Sequence, residues 1–215
     1  MKVLLIGANG QIGKHIIQFA KDEADISLTA MVRKNEQLEE LKADGTSAVL
    51  ADLEGSVADL QHVMNGVETV IFTAGSGGHT GADKTILVDL DGAIKAIEAA
   101  EQAGVDRFIM ISAFQAQNRE FWAESPIRHY MAAKHYADHF LLESKLKHTI
   151  IRPGKLENEA GTGKVQAGNL QEYGAIARED VAKAVIASLK NKNTENQSFD
   201  LVAGEEPVED AIKNV

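Results

Sequence analysis

Tyr130 and Lys134 stand four residues apart in the stretch HYMAAKHYADHFLLE (129–143), whose apolar residues recur at helical spacing. Residues four apart on a helix share one face, so the two side chains are expected to lie together. A lysine charge beside a phenol favours the phenolate, and the pKa of Tyr130 is therefore expected to be lowered. The pair predicts a proton donor with a cation beside it.

Ser112 ends the apolar run FIMIS (108–112), which has the composition of a buried strand. The carboxyl ends of parallel strands border the ligand crevice in open α/β sheets. A serine hydroxyl there could hold a substrate oxygen while Tyr130 protonates it. The alternative is a serine that caps a helix or turn.

Three glycines, Gly7, Gly10 and Gly13, lie between the run VLLI (3–6) and a helix that starts near Gln11. Gly7 permits a sharp turn, Gly10 leaves room for phosphates, and Gly13 lets helix and strand pack closely. The helix N-terminus offers N–H groups to an anion, which predicts a dinucleotide pyrophosphate site. The spacing G-x-x-G-x-x-G differs from the usual G-x-G-x-x-G, and the alternative is a turn without a ligand.

Arg33 follows Gly13 by twenty residues, at the end of the second apolar run (28–32). An acidic residue at this point binds the adenosine ribose hydroxyls, whereas arginine can pair with a 2′-phosphate. The sequence therefore predicts NADP(H) over NAD(H), with NAD(H) still possible. The alternative is a solvated arginine at the end of a strand.

Two further strand ends are candidates for the cofactor site. Asp52 and Leu53 could flank the adenine, with a turn aspartate as the equal alternative for Asp52. The small residues Ala74 and Gly75, in the tripeptide that begins with Thr73, would lie near the ribose unless they form a plain turn.

Short apolar runs alternate with stretches of helical periodicity, such as DGAIKAIEAAEQAG before FIMIS. This alternation predicts an α/β fold, a doubly wound parallel sheet of the Rossmann type, in a single domain of residues 1–215. The polar segment after Pro153 is expected to be a loop with one hairpin, followed by a helix over 178–192 and a strand over 197–203. Residues 153–177 and 204–215 are expected to form a small cap on the substrate side.

The formal net charge of −10 argues against a nucleic-acid or anionic-membrane partner, and the absence of cysteine excludes disulfides and thiolate chemistry. No long apolar stretch or signal peptide is evident, so a cytoplasmic protein with a small-molecule substrate is expected.

His135 and His139 lack an evident third ligand, and no metal site is predicted. His79 could touch a substrate, but such a loop histidine is more often solvated. Phe121 and Trp122 precede the helix that carries Tyr130 and could wall a pocket, but packing is the expected role.

Taken together and in order, these segments resemble the short-chain dehydrogenase/reductase superfamily over nearly the whole chain. The resemblance is to its atypical NAD(P)-binding branch, which is epimerase/dehydratase-like and NmrA-like. It depends on these segments: GANGQIG (7–13), Arg33, ADL (51–53), TAG (73–75), DGAIKAIEAAEQAGVDRFIMIS (91–112), YMAAK (130–134), IIRPG (150–154) and AREDVAKAV (177–185).

The resemblance implies a role for each matching residue. The pyrophosphate would be lined by Gly7, Asn9, Gly10, Gln11 and Ile12. Lys134 would also hold the nicotinamide ribose, Pro153 and Gly154 would approach the carboxamide through backbone, and Ser112, Tyr130 and Lys134 would be the catalytic set. Asp89 departs from the family pattern, since many relatives have an asparagine there that supports a proton relay.

The function expected from these residues is NADP(H)-dependent hydride transfer to or from a small carbonyl, quinone or flavin-like substrate. One alternative is a redox sensor that binds NADP(H) without turnover. Another is an epimerase or dehydratase with retained NAD, against which Arg33 and the small cap both argue.

Overall fold

Residues 1–78 and 80–215 are described by a computed structural model. Strands and helices alternate along most of the chain. The strands are β1 (Lys2–Ile6), β2 (Ser27–Val32), β3 (Ser47–Leu50), β4 (Thr69–Phe72), β5 (Arg107–Ile111), β6 (Lys147–Pro153), β7 (Lys155–Glu157), β8 (Lys164–Gly168), β9 (Ala175–Ala177), β10 (Gln197–Ala203) and β11 (Glu206–Pro207). The α-helices are α1 (Gln11–Ala20), α2 (Asn35–Ala43), α3 (Val57–Met64), α4 (Ala82–Lys84), α5 (Gly92–Ala103), α6 (Arg119–Trp122), α7 (Arg128–Glu143), α8 (Arg178–Lys190) and α9 (Val208–Lys213).

The main sheet has the order β11-β8-β10-β6-β5-β4-β1-β2-β3 in the described chain, and the seven strands from β10 to β3 are parallel. After β3 the chain crosses back and places β4 on the other side of β1. This reversal is the switch point where ligands bind in doubly wound sheets. The predicted Rossmann-type α/β fold is confirmed, and the predicted strands match the observed ones within two residues.

Both faces of the sheet are covered, which explains the continuous apolar runs. Val3 and Leu5 face a core that includes α1, α8 and α9, whereas Leu4 and Ile6 face a second core formed with α3, α5 and α7. Gly104 ends α5 with φ +72°, the left-handed cap conformation that glycine adopts most easily.

The segment after β6 does not form the predicted hairpin. Instead, β7 pairs in parallel with β9, and β8 adds antiparallel to β10 at the edge of the main sheet. The segment 204–215 gives β11, which pairs with β8, and α9, which packs on α8. Long-range pairing, rather than a local turn, therefore organises the C-terminal third.

A seven-residue π-helical segment, Thr85–Asp91, joins α4 to α5. Segments of this kind are rare and are found most often at functional sites. This one carries Asp89, whose side chain is buried.

Candidate functional site

The turn between β1 and α1 needs glycine at two positions for reasons internal to the chain. Gly7 has φ +89°, and a Cβ there would lie 2.6 Å from the backbone nitrogen of Ala74. A Cβ on Gly13 would lie 2.4 Å from the Gly7 carbonyl oxygen. These two glycines therefore hold β1, α1 and the end of β4 together, as the sequence predicted for a tight strand-to-helix turn.

Gly10 is different, because the folded chain leaves space beside it. A Cβ there would meet only the Gly7 carbonyl oxygen within 4 Å, at 3.1 Å. Gly10 is also the N-cap of α1 and supplies no capping side chain, so the first N–H groups of the helix remain available for an anion. The turn thus fits a pyrophosphate group.

A cleft of about 450 Å³ extends from this turn along the carboxyl ends of β1, β2 and β4. Eight of the predicted cofactor residues line it: Gly7, Asn9, Gly10, Arg33, Asp52, Leu53, Ala74 and Gly75. Gln11 and Ile12 do not line it, and the Ile12 side chain is buried in the core. Ile12 can therefore take part in binding a phosphate only through its backbone, whereas the Gln11 side chain is exposed.

Arg33 follows β2 directly and is exposed at one end of the cleft. Among the ion pairs of residues 1–78 and 80–215, none includes Arg33. Its guanidinium therefore has no carboxylate in that part of the chain to compete with a phosphate. Gln37 and Lys84 also line the cleft, and neither position was singled out by the sequence.

Asp52 forms a turn with its own chain. Its Oδ1 accepts the backbone N–H of Glu54 at 3.0 Å, the geometry of an Asx turn. The turn interpretation of Asp52 is therefore realised, and an adenine contact would have to use its other carboxylate oxygen.

Tyr130, Lys134 and Asp138 lie on one face of α7, as the four-residue spacing predicts. The Lys134 Nζ lies 5.7 Å from the centre of the Tyr130 ring and 3.4 Å from the carbonyl oxygen of Ile111, the residue before Ser112. The helix therefore brings the catalytic candidates to the carboxyl end of β5.

The expected lowering of the Tyr130 pKa is wrong. Burial raises the pKa of Tyr130 above its ordinary value of 10.0, and the nearby Lys134 charge opposes this only in part, while Asp89 adds to the increase. Desolvation of the phenolate therefore outweighs its attraction to the lysine. Tyr130 is a neutral phenol at physiological pH, which is the form that donates a proton.

Asp89 is the ion-pair partner of Lys134. The Nζ–Oδ1 distance is 3.4 Å, and the Asp89 carboxylate also accepts the backbone N–H of Ser76 at 2.9 Å. Burial alone would lower the pKa of Lys134, but Tyr130 in its phenolate form, Asp89 and Asp138 together outweigh burial, so that pKa is raised. Asp89 therefore connects the lysine to the loop that lines the cleft.

Ser112 is buried directly after β5, and its backbone N–H donates to the carbonyl of Ile151. Its Oγ is buried without a hydrogen-bond partner among the described residues, and so is Oδ1 of Asp138. The Ser112 hydroxyl nevertheless lies close enough to Asp138 to oppose the burial-driven increase in that carboxyl's pKa, as does Arg152. An unpartnered buried hydroxyl is consistent with a group that bonds to a ligand.

Pro153 and Gly154 are more restricted than the resemblance implied. The Pro153 carbonyl accepts the N–H of Phe114 and the Gly154 N–H donates to Leu201, each at 2.9 Å. A Cβ on Gly154 would lie 2.1 Å from the Gly174 carbonyl oxygen, so chain packing alone requires glycine there. A carboxamide contact would have to use the backbone groups that remain.

The side chains that sequence reasoning missed are aromatic. Phe114 is buried two residues after Ser112, and both Phe121 and the loop residue Tyr173 pack against it. For Phe121 a packing role was preferred over a place in a pocket wall, but its side chain is 43% exposed, whereas Trp122 is buried and donates to the Ala116 carbonyl. The one sequence signal for a role of Phe114 was its position two residues after Ser112, just past the end of β5.

The histidines of the described residues do not line the cleft. The Nδ1 atom of His135 is hydrogen-bonded to the Ala116 carbonyl at 2.9 Å. In the described part of the chain no three metal-ligating side chains cluster, and no helix has the length and apolar content needed to cross a membrane. The suggested substrate contact of His79 lies outside the described residues.

Comparisons with known proteins agree with this architecture. Residues 7–192 match a family model described as NAD(P)H-binding. The chain is 58% identical over 215 residues to the Bacillus subtilis (strain 168) protein named "Uncharacterized sugar epimerase YhfK", covering 100% of both chains. A Bacillus halodurans structure assigned as an NAD-dependent epimerase/dehydratase has a TM-score of 0.92 and 39% identity, covering 100% of both chains.

ChuY, described as an anaerobillin reductase from Escherichia coli O157:H7, has a TM-score of 0.76 and 26% identity. The match covers 94% of this chain and 97% of ChuY. With its glycine turn, its cleft at the switch point and these relatives, the chain belongs to the NAD(P)H-binding family, within the atypical branch of the short-chain dehydrogenase/reductases.

Proposed function

We propose that this protein is an NADP(H)-dependent oxidoreductase that transfers a hydride to or from a small carbonyl, quinone or flavin-like substrate. The observation that carries the proposal is the arrangement at the end of β5, where half-buried Tyr130 lies beside buried Lys134, which in turn contacts Asp89 and Ile111. A protein that only held the dinucleotide would have no need of a proton donor beside a buried cation.

The cofactor preference rests on Arg33. Its exposed guanidinium lines the cleft one strand away from the glycine turn and has no ion-pair partner among residues 1–78 and 80–215. A guanidinium pairs well with a phosphate, which supports NADP(H) over NAD(H).

The bound cofactor supplies the hydride, and the protein supplies positioning and the proton. Tyr130 donates its phenolic proton to the substrate oxygen, so that one hydride and one proton are added to a carbonyl. The buried Ser112 hydroxyl, which also lies near Asp138, would hold that oxygen. Lys134, kept charged by Asp89, stabilises the phenolate that remains on Tyr130 after proton transfer.

An epimerase or dehydratase with retained NAD is the second candidate, because the names of the Bacillus relatives point to it. Arg33 weighs against it, since a retained NAD carries no 2′-phosphate. The short segments 153–177 and 204–215 also offer little chain to enclose a sugar nucleotide.

The test is a screen of carbonyls, quinones and flavins for NADPH oxidation, with Tyr130→Phe as the matched variant. Loss of the donor is expected to reduce kcat roughly 10²- to 10⁴-fold, while NADPH affinity stays unchanged. Unchanged turnover in Tyr130→Phe would show that another group supplies the proton. NADPH binding with no oxidation by any acceptor would favour a sensor, and interconversion of a sugar nucleotide with NAD would favour the epimerase.

A further inference from the structure

Three aromatic side chains, here called the aromatic cluster, meet beside the catalytic candidates: Phe114, Phe121 and Tyr173. The ring centres of Phe121 and Tyr173 lie 5.5 and 5.4 Å from that of Phe114 and 6.2 Å from each other. The chain holds only seven phenylalanines, three tyrosines and one tryptophan, so this is a notable concentration of its aromatic residues.

The aromatic cluster is buried at its base and exposed at its top. Phe114 is buried, whereas Phe121 and Tyr173 are 43% and 59% exposed. Two adjoining exposed rings on a buried third ring leave apolar surface in water, which a folded chain normally covers. Aromatic rings stack favourably with other flat conjugated systems, so the uncovered surface suits a planar ligand.

The position of the aromatic cluster connects it to the reacting groups. Phe114 comes two residues after Ser112, and its N–H donates to the Pro153 carbonyl. Tyr130 packs against a small apolar cluster that includes Ala113, the residue between Ser112 and Phe114, and Tyr173 lies within electrostatic reach of Tyr130. A ligand on the aromatic cluster would therefore lie next to the proposed proton donor.

Gln115 fixes the loop that carries Phe114 and leads into α6, which carries Phe121. It has φ +54°, a left-handed conformation that glutamine rarely adopts. The buried Asp200 accepts both the Gln115 backbone N–H at 2.9 Å and its Nε2 at 3.1 Å. Such a conformation persists only where its surroundings hold it in place.

The same glutamine also holds the loop that carries Tyr173. Its Nε2 donates to the carbonyl of Leu170 at 2.6 Å, and its Oε1 accepts from Asn118 at 3.0 Å. One buried side chain thus connects the β5–α6 loop, the β8–β9 loop and β10. Phe121 on one side of the aromatic cluster and Tyr173 on the other are therefore held in fixed positions relative to each other before any ligand binds.

We infer that the aromatic cluster is the acceptor-binding site, and that its ligands are planar fused-ring carbonyl compounds rather than small aliphatic carbonyls. This inference rests on the proposed function for the reaction itself and adds the substrate class. Gln115 acts as a positioning residue for the site, through its bonds to Asp200 and Leu170.

Phenanthrenequinone and 2,3-butanedione test the inference because both carry a vicinal diketone and only the first is a planar ring system. In Phe121→Ala and Tyr173→Ala we expect KM for phenanthrenequinone to rise about tenfold, the effect of losing one stacking contact, with kcat little changed. Their kinetics with butanedione should match the wild type. Phe140→Ala removes a comparably exposed ring on α7 and should alter neither substrate.

Binding measured without turnover separates this inference from the proposed function. Trp122 is the only tryptophan and packs beside Tyr130, so quenching of its fluorescence reports phenanthrenequinone binding to the NADP⁺ complex, which cannot deliver a hydride. Binding that is about tenfold weaker in Phe121→Ala supports the site even if no acceptor is ever reduced. Absence of binding, or equal affinity in wild type, Phe121→Ala and Tyr173→Ala, overturns it even if other carbonyls are turned over.

Gln115→Gly tests the positioning role. Glycine accepts the left-handed backbone and keeps the backbone N–H bond to Asp200, so the fold is retained while the side-chain bonds to Asp200, Leu170 and Asn118 are lost. The expected result is a higher KM for phenanthrenequinone with unchanged kinetics for butanedione. Equal loss with both substrates, or no loss with either, would contradict a positioning role for this residue.

Discussion

Asp89 and Lys134 form a buried ion pair, with 3.4 Å between Oδ1 and Nζ and side chains that are only 1% and 5% exposed. Asp89 lies in the π-helical segment and also accepts the N–H of Ser76, in the loop along the cofactor cleft. The pair therefore joins the proposed catalytic helix to the proposed cofactor site. A buried charge of this kind is tolerated because its partner is close.

The Asp89→Asn substitution tests how far the buried charge of Lys134 depends on its partner carboxylate. The amide can still accept from Ser76, but Lys134 would be a buried charge without its ion-pair partner, and Asp138, the other carboxylate that acts on it, is already paired with Arg152. We expect the free energy of unfolding to fall by about 3 to 5 kcal/mol, as when one partner of a buried pair is removed, measured by urea denaturation. Adding Lys134→Met should recover part of that loss, whereas additive losses in the double variant would show that the pair does not interact.

The pKa of Tyr130 sets the alkaline limit of the proposed reduction. The protonated phenol is the active form, and burial raises its pKa above 10.0. Activity, and the stability linked to this proton, are therefore fully present below pH ~10 and lost as the pH rises through the folded-state pKa. We expect a kcat profile for the reduction that is flat from pH ~7 to ~10.

Tyr136→Phe, which changes an exposed tyrosine on the same helix, should leave that profile unchanged. A decline already centred near neutral pH in the wild type would mean that Lys134, rather than burial, dominates the environment of the phenol.

The parts of this fold that were predictable from sequence are those set by local pattern. The strands could be predicted from continuous apolar runs, because a strand covered on both faces does not alternate between apolar and polar residues. Gly7 and Gly13 gave the β1–α1 turn, because no other residue fits the space that the structure leaves there.

Features that depend on distant parts of the chain were not predictable. The pairing of Asp89 with Lys134 depends on a π-helical segment, whose wider turns change which side chains face α7. Tyr173 reaches Phe114 only because the Gln115 side chain bonds to the loop before β9. The direction of the Tyr130 pKa shift was missed for a related reason, since burial is a property of the folded chain and not of residue spacing.

Arg33→Ala tests the cofactor preference. Loss of a charged hydrogen bond is expected to weaken NADP⁺ binding by about 1.5 to 3 kcal/mol, roughly 10- to 150-fold, and to leave NAD⁺ binding almost unchanged. Calorimetry with both dinucleotides measures the difference. Lys42→Ala, on an exposed face of α2, is the control for loss of one positive charge. Equal effects on the two dinucleotides would remove the basis for preferring NADP(H).

Gly10→Ala and Gly13→Ala separate the binding role of the glycine turn from its structural role. In Gly10→Ala the new methyl group meets only the Gly7 carbonyl at 3.1 Å, so we expect a loss of no more than about 1 kcal/mol, that of a poorer N-cap. Dinucleotide affinity should fall much more, because the methyl group occupies the space left for the phosphates.

Gly13→Ala should lower the stability of the fold more than it lowers dinucleotide affinity. Its Cβ would lie 2.4 Å from the Gly7 carbonyl, an overlap that costs about 1 to 3 kcal/mol of stability. Thermal unfolding with and without NADPH distinguishes the two outcomes, since at a fixed NADPH concentration a tighter-bound dinucleotide raises Tm more. If Gly10→Ala retained the full NADPH-dependent rise in Tm, the phosphates would have to bind elsewhere, because the space beside Gly10 is the part of the turn that folding itself does not require.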